Sequence, residues 1–417
     1  MLYIGSTLID YIASQTIYSR TYSLVIKDVF CINKHFLQIK INSMKKNIVL
    51  VTWIGNGNYG TSLQSFALHR KLEMLGYKVS FLQNFPNNFG LKYKVKNILR
   101  KLGIDTKKIK ETIKPQKQTL KQRKLADFIS KNYNFYKPIL SKRNLNELKE
   151  RTDVFLTGSD QIWNTAFRFT PFYFLDFVGD SKCIAYASSI GLNDFPDQHK
   201  PIVKELLSKF SHIGLREKTA VDIVSKLLGR DDVVQVLDPT FLLNKNEWAD
   251  ISDKATIEIK LPKKFIFSYL IGKNSWYKEQ LGEVVAATGI KDVIIVPAAE
   301  NADFSIEGAT VYNNAGPLEF VKLIKESTFV CTDSFHATAI SINLNKDFVE
   351  FMRFKDSDKV SQNSRIYDVL NHYQLMNRIY SDKTTEWSDS IDFKYSNMLL
   401  EEDRKYSLDY LVNAIKN

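Results

Sequence analysis

Ile48-Val-Leu-Val-Thr-Trp53, then Gly55-Asn-Gly-Asn-Tyr-Gly60, then Ser62–Leu75 is the stretch that decides the fold. The first segment is a continuous apolar run, the pattern of a strand buried on both faces. The second is a flexible polar loop. The third carries apolar residues at Leu63, Phe66, Ala67, Leu68, Leu72 and Leu75, an amphipathic helical spacing, and Gly76 ends it as a C′ glycine does. Lys78–Leu82 predicts a second strand. A strand, a loop, a helix and a strand in that order open a doubly wound α/β domain.

The same rhythm returns further along. Strands are expected at Val154–Thr157, Cys183–Ala187, His212–Leu215 and Val233–Leu237, with helices at Ile202–Phe210 and Lys218–Leu228. A second set follows: strands at Phe265–Leu270, Val293–Val296, Phe329–Thr332 and Phe348–Phe351, and helices at Trp276–Thr288, Pro317–Glu326 and Ala337–Ile342. Terminal helices are expected at Ser364–Leu370 and Tyr406–Ile415. The expected organisation is a first Rossmann-like domain over residues 44–240 with a basic helical insert at about 90–150. A second such domain covers 260–380, and a helical tail covers 381–417. Two doubly wound domains joined near 238–262 would enclose a cleft, and ligands of such sheets sit at the carboxyl ends of the strands.

The remaining stretch, residues 1–43, lacks helical period, caps and the order of a signal peptide. Met44-Lys-Lys-Asn47 immediately precedes the first strand, so 1–43 is expected to be a non-native or disordered extension and Met44 the start. Over the 417 residues, 44% are apolar and 25% charged, an ordinary globular composition. No run reaches the roughly 18 apolar residues of a membrane span. Cys31, Cys183 and Cys331 are too scattered for a metal site or a disulfide framework, which points to a reducing cytoplasm. The net charge is +12. Much of it lies between Lys92 and Lys124, where thirteen lysines and arginines face two acids, Asp105 and Glu111. Such a block is either a solvated basic face or a contact for anions. No nucleic-acid recognition motif accompanies it, so nucleic acid is not an expected partner.

The polar motifs cluster at predicted strand ends. Gly55, Gly57 and Gly60 have the dinucleotide fingerprint spacing, but Gln83 and Asn84 stand where an acid is expected about 20 residues on. A structural turn and an anion or sugar-hydroxyl site remain as the other readings. Gly158-Ser-Asp-Gln-Ile-Trp163 offers Asp160 and Gln161 to hydroxyls and an indole to a sugar face; alternatively Asp160 caps a helix. Thr332-Asp-Ser-Phe-His336 puts His336 at a helix start, where the dipole disfavours its cation and suits proton transfer. Arg216 and Arg365 are candidate anion clamps, because a guanidinium binds phosphate or carboxylate with two parallel bonds; surface ion pairs are the alternative.

In order, the chain carries Asn58-Tyr-Gly-Thr-Ser-Leu-Gln64-Ser-Phe-Ala-Leu68, Leu156-Thr-Gly-Ser-Asp-Gln-Ile-Trp163-Asn164, Tyr186-Ala-Ser-Ser-Ile-Gly191, Leu215-Arg-Glu217, Leu237-Asp-Pro-Thr240, Thr332-Asp-Ser-Phe-His336 and Ser364-Arg365-Ile366. This ordered set, spread over about 46–380, resembles the polysaccharide pyruvyl transferase family. It departs at Ala337, where glycine is frequent, and at Thr61, where many members carry an acid. The resemblance implies a GT-B-like fold of two Rossmann-like domains facing a central cleft. It also implies transfer of a pyruvyl group from phosphoenolpyruvate to a sugar of an exopolysaccharide, capsule or other cell-surface glycan, forming a ketal and releasing phosphate.

On that resemblance His336 is the general acid or base. Arg216 and Arg365 hold phosphate and carboxylate, Asn58 and Gln64 line the donor or acceptor side of the first-domain loop, and Gly60 and Ser334 bind substrate; Asp160, catalytic with His336, and Gln161 contact the acceptor sugar or orient the catalytic groups. No cofactor or metal is implied; phosphoenolpyruvate is a donor substrate. The acceptor is a sugar, commonly lipid-linked at the cytoplasmic membrane face, so residues 92–124 gain a reading as a peripheral contact with anionic lipid. A nucleotide-sugar glycosyltransferase of the same architecture and an inactive glycan-binding protein are the competing readings.

Overall fold

The computed structural model describes residues 46–55, 57–83, 118–298, 306–354 and 363–417. The expected extension 1–43 and most of the basic segment lie outside them. The strands are β1 (Asn47–Val51), β2 (Lys78–Phe81), β3 (Val154–Thr157), β4 (Cys183–Ser188), β5 (His212–Leu215), β6 (Val234–Gln235), β7 (Ile266–Tyr269), β8 (Val293–Ile295), β9 (Thr310–Val311), β10 (Phe329–Thr332) and β11 (Asp347–Glu350). The α-helices are α1 (Tyr59–Met74), α2 (Leu120–Asn132), α3 (Lys142–Glu150), α4 (Thr165–Arg168), α5 (Lys200–Leu207), α6 (Lys218–Leu228), α7 (Lys245–Ser252), α8 (Tyr277–Thr288), α9 (Pro317–Glu326), α10 (Phe335–Leu344), α11 (Ser364–His372) and α12 (Lys394–Lys416).

They build two parallel sheets. One has six strands in the order β2-β1-β3-β4-β5-β6, the other five in the order β11-β10-β7-β8-β9. β1 pairs in parallel with both β2 and β3, and β10 with both β7 and β11. This is the two-lobed, GT-B-like α/β architecture. Side chains alternate across the strands as pleating requires. In β1, Ile48 and Leu50 face a core shared by both lobes, while Val49 and Val51 face a core private to the first. In β10, Val330 faces the shared core and Phe329 and Cys331 a third, private to the second lobe.

The shared core locks the lobes together. Tyr59 of α1 stacks on Phe320 of α9 with ring centroids 4.7 Å apart, and its hydroxyl donates to the carbonyl of Ala315 at 2.8 Å. Lys124 of α2 also crosses between lobes, to Glu258 at 2.9 Å and Glu319 at 3.0 Å. Stacked aromatic pairs add about 0.5–1.5 kcal/mol beyond their buried area. Half-exposed ion pairs add about 0–1 kcal/mol, so the apolar contact contributes more than the ion pairs. Of the expected basic segment 92–124, residues 92–117 lie outside the described residues, and Lys124 is engaged with the second lobe. Lys121 too turns inward, its ammonium lying 4.7 Å from the Tyr59 ring centroid and donating to Pro297.

Two helix starts differ from expectation by three residues or more. α1 begins at Tyr59, not Ser62, because the Asn58 side chain accepts from the Thr61 N–H at 3.3 Å and caps the helix three residues earlier. α12 begins at Lys394, not Tyr406. Its buried stripe is Ser396, Leu400, Arg404, Ser407, Leu411 and Ala414, a helical spacing carried largely by polar residues and so hidden from apolar periodicity. α12 returns from the second lobe to the first. The Ser407 hydroxyl accepts from the Leu237 N–H at 3.0 Å, and the Tyr410 hydroxyl donates to the Ala185 carbonyl at 3.1 Å. Gly214 on β5 allows this approach, since a Cβ there would lie 2.7 Å from the Tyr410 ring. Among the described residues no helix is long and apolar enough to cross a membrane.

Candidate active site

Parallel strands aim their carboxyl ends at one edge of a sheet, and the motif residues follow β3, β5, β6 and β10. Their side chains form one connected cluster. Asp160, after β3, holds the left-handed φ of +68°. This turns its carboxylate so that Oδ2 accepts from the Thr61 hydroxyl of α1 at 2.7 Å and Oδ1 from the Gln161 N–H at 2.9 Å. The Thr61 hydroxyl thus joins the first turn of α1 to β3.

Next to Thr61 stands Gly60. A Cβ on Gly60 would lie 2.2 Å from His336 Nδ1, so only glycine lets the imidazole reach this position. His336 is the second residue of α10 and its side chain is 10% exposed. The N-terminal ends of α1 and α10 therefore meet at one histidine, and both present the positive end of a helix dipole. On the opposite edge of the ring, Nε2 lies 3.5 Å from Oδ2 of Asp238, which follows β6.

Asp238 is fully buried. Oδ1 accepts from the Thr240 N–H at 3.0 Å and its hydroxyl at 2.8 Å; Oδ2 accepts from Arg216 Nη1 at 3.1 Å and lies 3.3 Å from Ser159 Oγ, whose one proton is shared with the nearer Ala187 carbonyl at 2.9 Å. Burial alone would raise its pKa, but the neighbouring His336 and Arg216 outweigh that and hold the carboxyl well below the usual range. Arg216 is buried against a second carboxylate, Glu217, at 3.0 Å from Nε. Glu217 also accepts from the Ser189 hydroxyl. Phe335 covers the Arg216 guanidinium, its ring centroid 4.6 Å from Cζ. Arg216 is thus a cation already flanked by two anions, narrower in its reach than the free clamp expected from sequence.

Arg365, near the start of α11, lines a cavity of about 460 Å³ together with Arg216, Glu217, Asp238 and Phe335. The far wall comes from α11 and α12, including Asp368, Tyr406 and Ser407. Burial and then the charge of Arg216 push the Arg365 pKa down to about 10, against the opposing pull of Glu217 and Asp160. It remains a cation at neutral pH. Two guanidinium groups close enough to repel each other, at the edge of one cavity, form an arrangement that an anion relieves.

Other expected residues have structural duties. Gln64 is fully buried; its amide nitrogen donates to Trp53 O at 3.2 Å and Thr61 O at 3.0 Å, and its oxygen accepts from the Ser159 N–H at 3.3 Å. It is corrected from a substrate contact to a brace between α1 and the β3 loop. Asn58 is the α1 cap. Gln161 accepts from Asn164 at 3.0 Å and packs where a Cβ on Gly191 would intrude. Ser334 is buried at the α10 N-cap, its N–H donating to Thr332 Oγ1 at 3.1 Å. Trp163 is no exposed sugar platform: it is fully buried, stacks on Phe174 at 5.3 Å and donates to Tyr173 O. Sequence reasoning passed over Asp238 and Glu217, although both lie in quoted motifs at strand ends. An acid at the carboxyl end of a strand beside the candidate histidine's cleft was the available signal. Among the described residues no group of three or more His, Cys, Asp or Glu side chains could hold a metal ion.

The sequence profile of the family described as polysaccharide pyruvyl transferase matches residues 58–351. No curated protein matches the chain in sequence. Among solved structures, the chain is similar to UDP-GlcNAc 2-epimerase from Neisseria meningitidis bound to UDP-GlcNAc, at 12% identity and a TM-score of 0.46, covering 89% of this chain and 100% of that one. It is also similar to a putative UDP-N-acetylglucosamine 2-epimerase from Listeria monocytogenes, at 11% identity and a TM-score of 0.43, covering 86% and 95%. A third is Arabidopsis thaliana UGT89C1 complexed with quercetin, at 11% identity and a TM-score of 0.38, covering 89% and 93%.

Proposed function

Because the chain belongs to the polysaccharide pyruvyl transferase family, we propose that it transfers the pyruvyl group of phosphoenolpyruvate to a sugar of an exopolysaccharide, capsule or other cell-surface glycan. What supports this reading is that residues of four separate motifs lie together: Asp160 acts on Arg216, Arg216 and His336 share Asp238, and Arg365 lines one cavity with Arg216.

The chemistry needs a proton donor, a cationic anion site and a place for a diol. In this reading protonated His336 delivers its proton to the methylene carbon of phosphoenolpyruvate. The carbon–carbon double bond supplies the electron pair, leaving a cationic C2. A sugar hydroxyl adds to C2 and returns its proton to His336. The C2–O bond to phosphate then breaks, and a second hydroxyl closes the ketal as its proton leaves with phosphate. Arg365, Arg216 and the two converging helix N-termini balance the donor's negative charge. Asp160, through Thr61, fixes the first turn of α1 against which the histidine packs. The cavity lined by Glu217, Asp368 and Tyr406 accepts the acceptor sugar, with carboxylates for hydroxyls and an aromatic ring for an apolar sugar face.

The acceptor in this proposal is lipid-linked, and the basic residues 92–117 draw the protein to anionic lipid on the cytoplasmic face. Lys121 and Lys124 are withdrawn from that contact because they bridge the lobes. Salt-sensitive binding to anionic vesicles supports the contact; equal binding to neutral vesicles counts against it.

The test is phosphate release from phosphoenolpyruvate with a panel of free and lipid-linked sugars, in the presence of a chelator. Acceptor-dependent release is expected. Silence across the panel, with a thermal shift by a nucleotide sugar and none by phosphoenolpyruvate, would replace pyruvyl transfer with glycosyl transfer.

A further inference from the structure

The two edges of the His336 ring meet different surroundings. Nδ1 abuts Gly60 at the start of α1, where a Cβ would come within 2.2 Å. Nε2 faces Asp238 Oδ2 at 3.5 Å, and the Asp238 side chain has no exposed surface. The carboxylate cannot turn away. Thr240 fixes Oδ1 with its N–H and its hydroxyl, and Arg216 holds Oδ2. The direction left to Oδ2 is toward the imidazole.

The charged groups around this pair are identifiable. Arg216 after β5 shares itself between Asp238 and Glu217, so the Asp238 charge is not consumed by one private cation. Asp160 after β3 acts on Arg216, and Arg365 of α11 feels Arg216, Glu217 and Asp160. Among the described residues, Asp238 is the carboxylate in ion-pair range of the ring. Nε2 makes no hydrogen bond with any of them in the free chain, but an ionised carboxylate has only acceptors and favours a proton on the ring nitrogen that faces it. Catalytic hydrogen bonds are often long before substrate binds and tighten in the complex.

We propose that Asp238 is the positioning residue of His336: it holds the proton on Nε2, orients the ring, balances the imidazolium, and leaves Nδ1 as the nitrogen that exchanges a proton with substrate. This inference rests on the proposed role of His336 in pyruvyl transfer, but its central claim is about a tautomer and is read without substrate.

The Asp238→Asn variant reverses the geometry in a defined way. The two Thr240 donors keep the amide oxygen at the Oδ1 position, so the amide NH₂ takes the Oδ2 position and donates to Nε2. The neutral ring must then carry its proton on Nδ1. The experiment is ring ¹⁵N spectroscopy of the full chain labelled at histidine, with the His336 signals assigned by His336→Gln. The wild-type protein is expected to show the Nε2–H tautomer of His336, and Asp238→Asn the Nδ1–H tautomer. In the phosphate-release assay, kcat of Asp238→Asn is expected to fall about 10²–10⁴-fold with little change in the KM for phosphoenolpyruvate. An Nδ1–H tautomer in the wild-type protein overturns the proposal, and so does an unchanged tautomer in a folded Asp238→Asn variant. Should that variant fail to fold once Arg216 loses its partner, the wild-type tautomer alone decides. The expected tautomers without any phosphoenolpyruvate turnover would leave the Asp238–His336 pair standing and refute the reading of function instead.

Discussion

Asp238 and Asp333 are both buried acids at the carboxyl end of a strand, each paired with an arginine, one in each lobe. Their surroundings differ in one respect. Asp333 spends its oxygens on the Ile271 N–H at 2.7 Å, the Gly272 N–H at 2.7 Å, the Tyr277 hydroxyl at 2.8 Å and Arg353 Nε at 3.2 Å. Its donors are backbone and scaffold groups, and it ties the loop after β7 to the loop after β10. Asp238 takes donors too, but one side of Oδ2 looks onto an ionisable ring. A saturated acid builds structure, whereas an acid that keeps one direction for a titratable neighbour can tune chemistry.

The largest expected effect lies at that neighbour. His336→Ala should lower acceptor-dependent phosphate release by about 10²–10⁴-fold, the usual contribution of a positioned acid or base, with an unchanged melting temperature. Near-wild-type turnover removes His336 from the mechanism and makes the two aspartates equivalent scaffolds.

Gly60→Ala comes next. The new methyl would sit 2.2 Å from Nδ1, so the ring must move, and a misplacement of that order costs about 10²-fold in rate. Gly282→Ala is the matched control: it too lies in a helix, but a Cβ there meets nothing within 4 Å. That change should stabilise the protein by about 0.5–1 kcal/mol through helix propensity alone and leave kcat untouched. Equal activities for the two alanine variants would show that the Gly60–His336 contact does not matter.

Asp333→Asn sharpens the comparison from the other side. It removes an acceptor from backbone N–H groups and a partner from Arg353, which should cost about 1–3 kcal/mol of stability. Activity at a temperature where the variant stays folded should remain within about tenfold of wild type. Thermal denaturation beside the phosphate assay separates the cases, and a large rate loss with no loss of stability would erase the distinction from Asp238.

Much of the fold is legible in the amino-acid sequence. Most strands of the two sheets are apolar runs, and pattern alone finds such runs, whereas the short, exposed β9 is not among the expected strands; Lys218–Leu228 and Pro317–Glu326 match expectation end to end. Where polar residues carry the packing, pattern fails: Ser396, Arg404 and Ser407 form the buried stripe of α12, and Gln64 braces α1 from inside. The site is half legible for a related reason. Residue type and position at strand ends pick out His336, Arg216, Arg365 and Asp160. Which of them are already paired depends on side-chain directions that sequence does not encode. That is why Asp238 reads as a domain boundary and Arg216 as a free clamp.

A third buried acid extends the comparison and carries the smallest prediction. Glu350, at the end of β11, is almost wholly buried and accepts from the Thr338 hydroxyl of α10, one helical turn beyond Ser334. Among the described residues it lacks the close cations of Asp238. Burial pushes its pKa well above the ordinary value, with the charge of Asp333 adding to the rise and the Thr338 hydroxyl and Arg353 opposing it. The folded chain therefore keeps a proton that the unfolded chain gives up. Stability linked to that proton is fully present below the ordinary glutamate range. It declines as pH rises toward the folded value, by at most about 1.4 kcal/mol per pH unit. Glu350→Gln keeps the shape and the Thr338 bond without the titration. Its melting temperature should match wild type near pH 4 and exceed it at pH 8, the gap widening with pH. A gap that shrinks toward alkaline pH would mean that Glu350 is held ionised, as Asp238 is, and would point to a cation serving it that the contacts do not reveal.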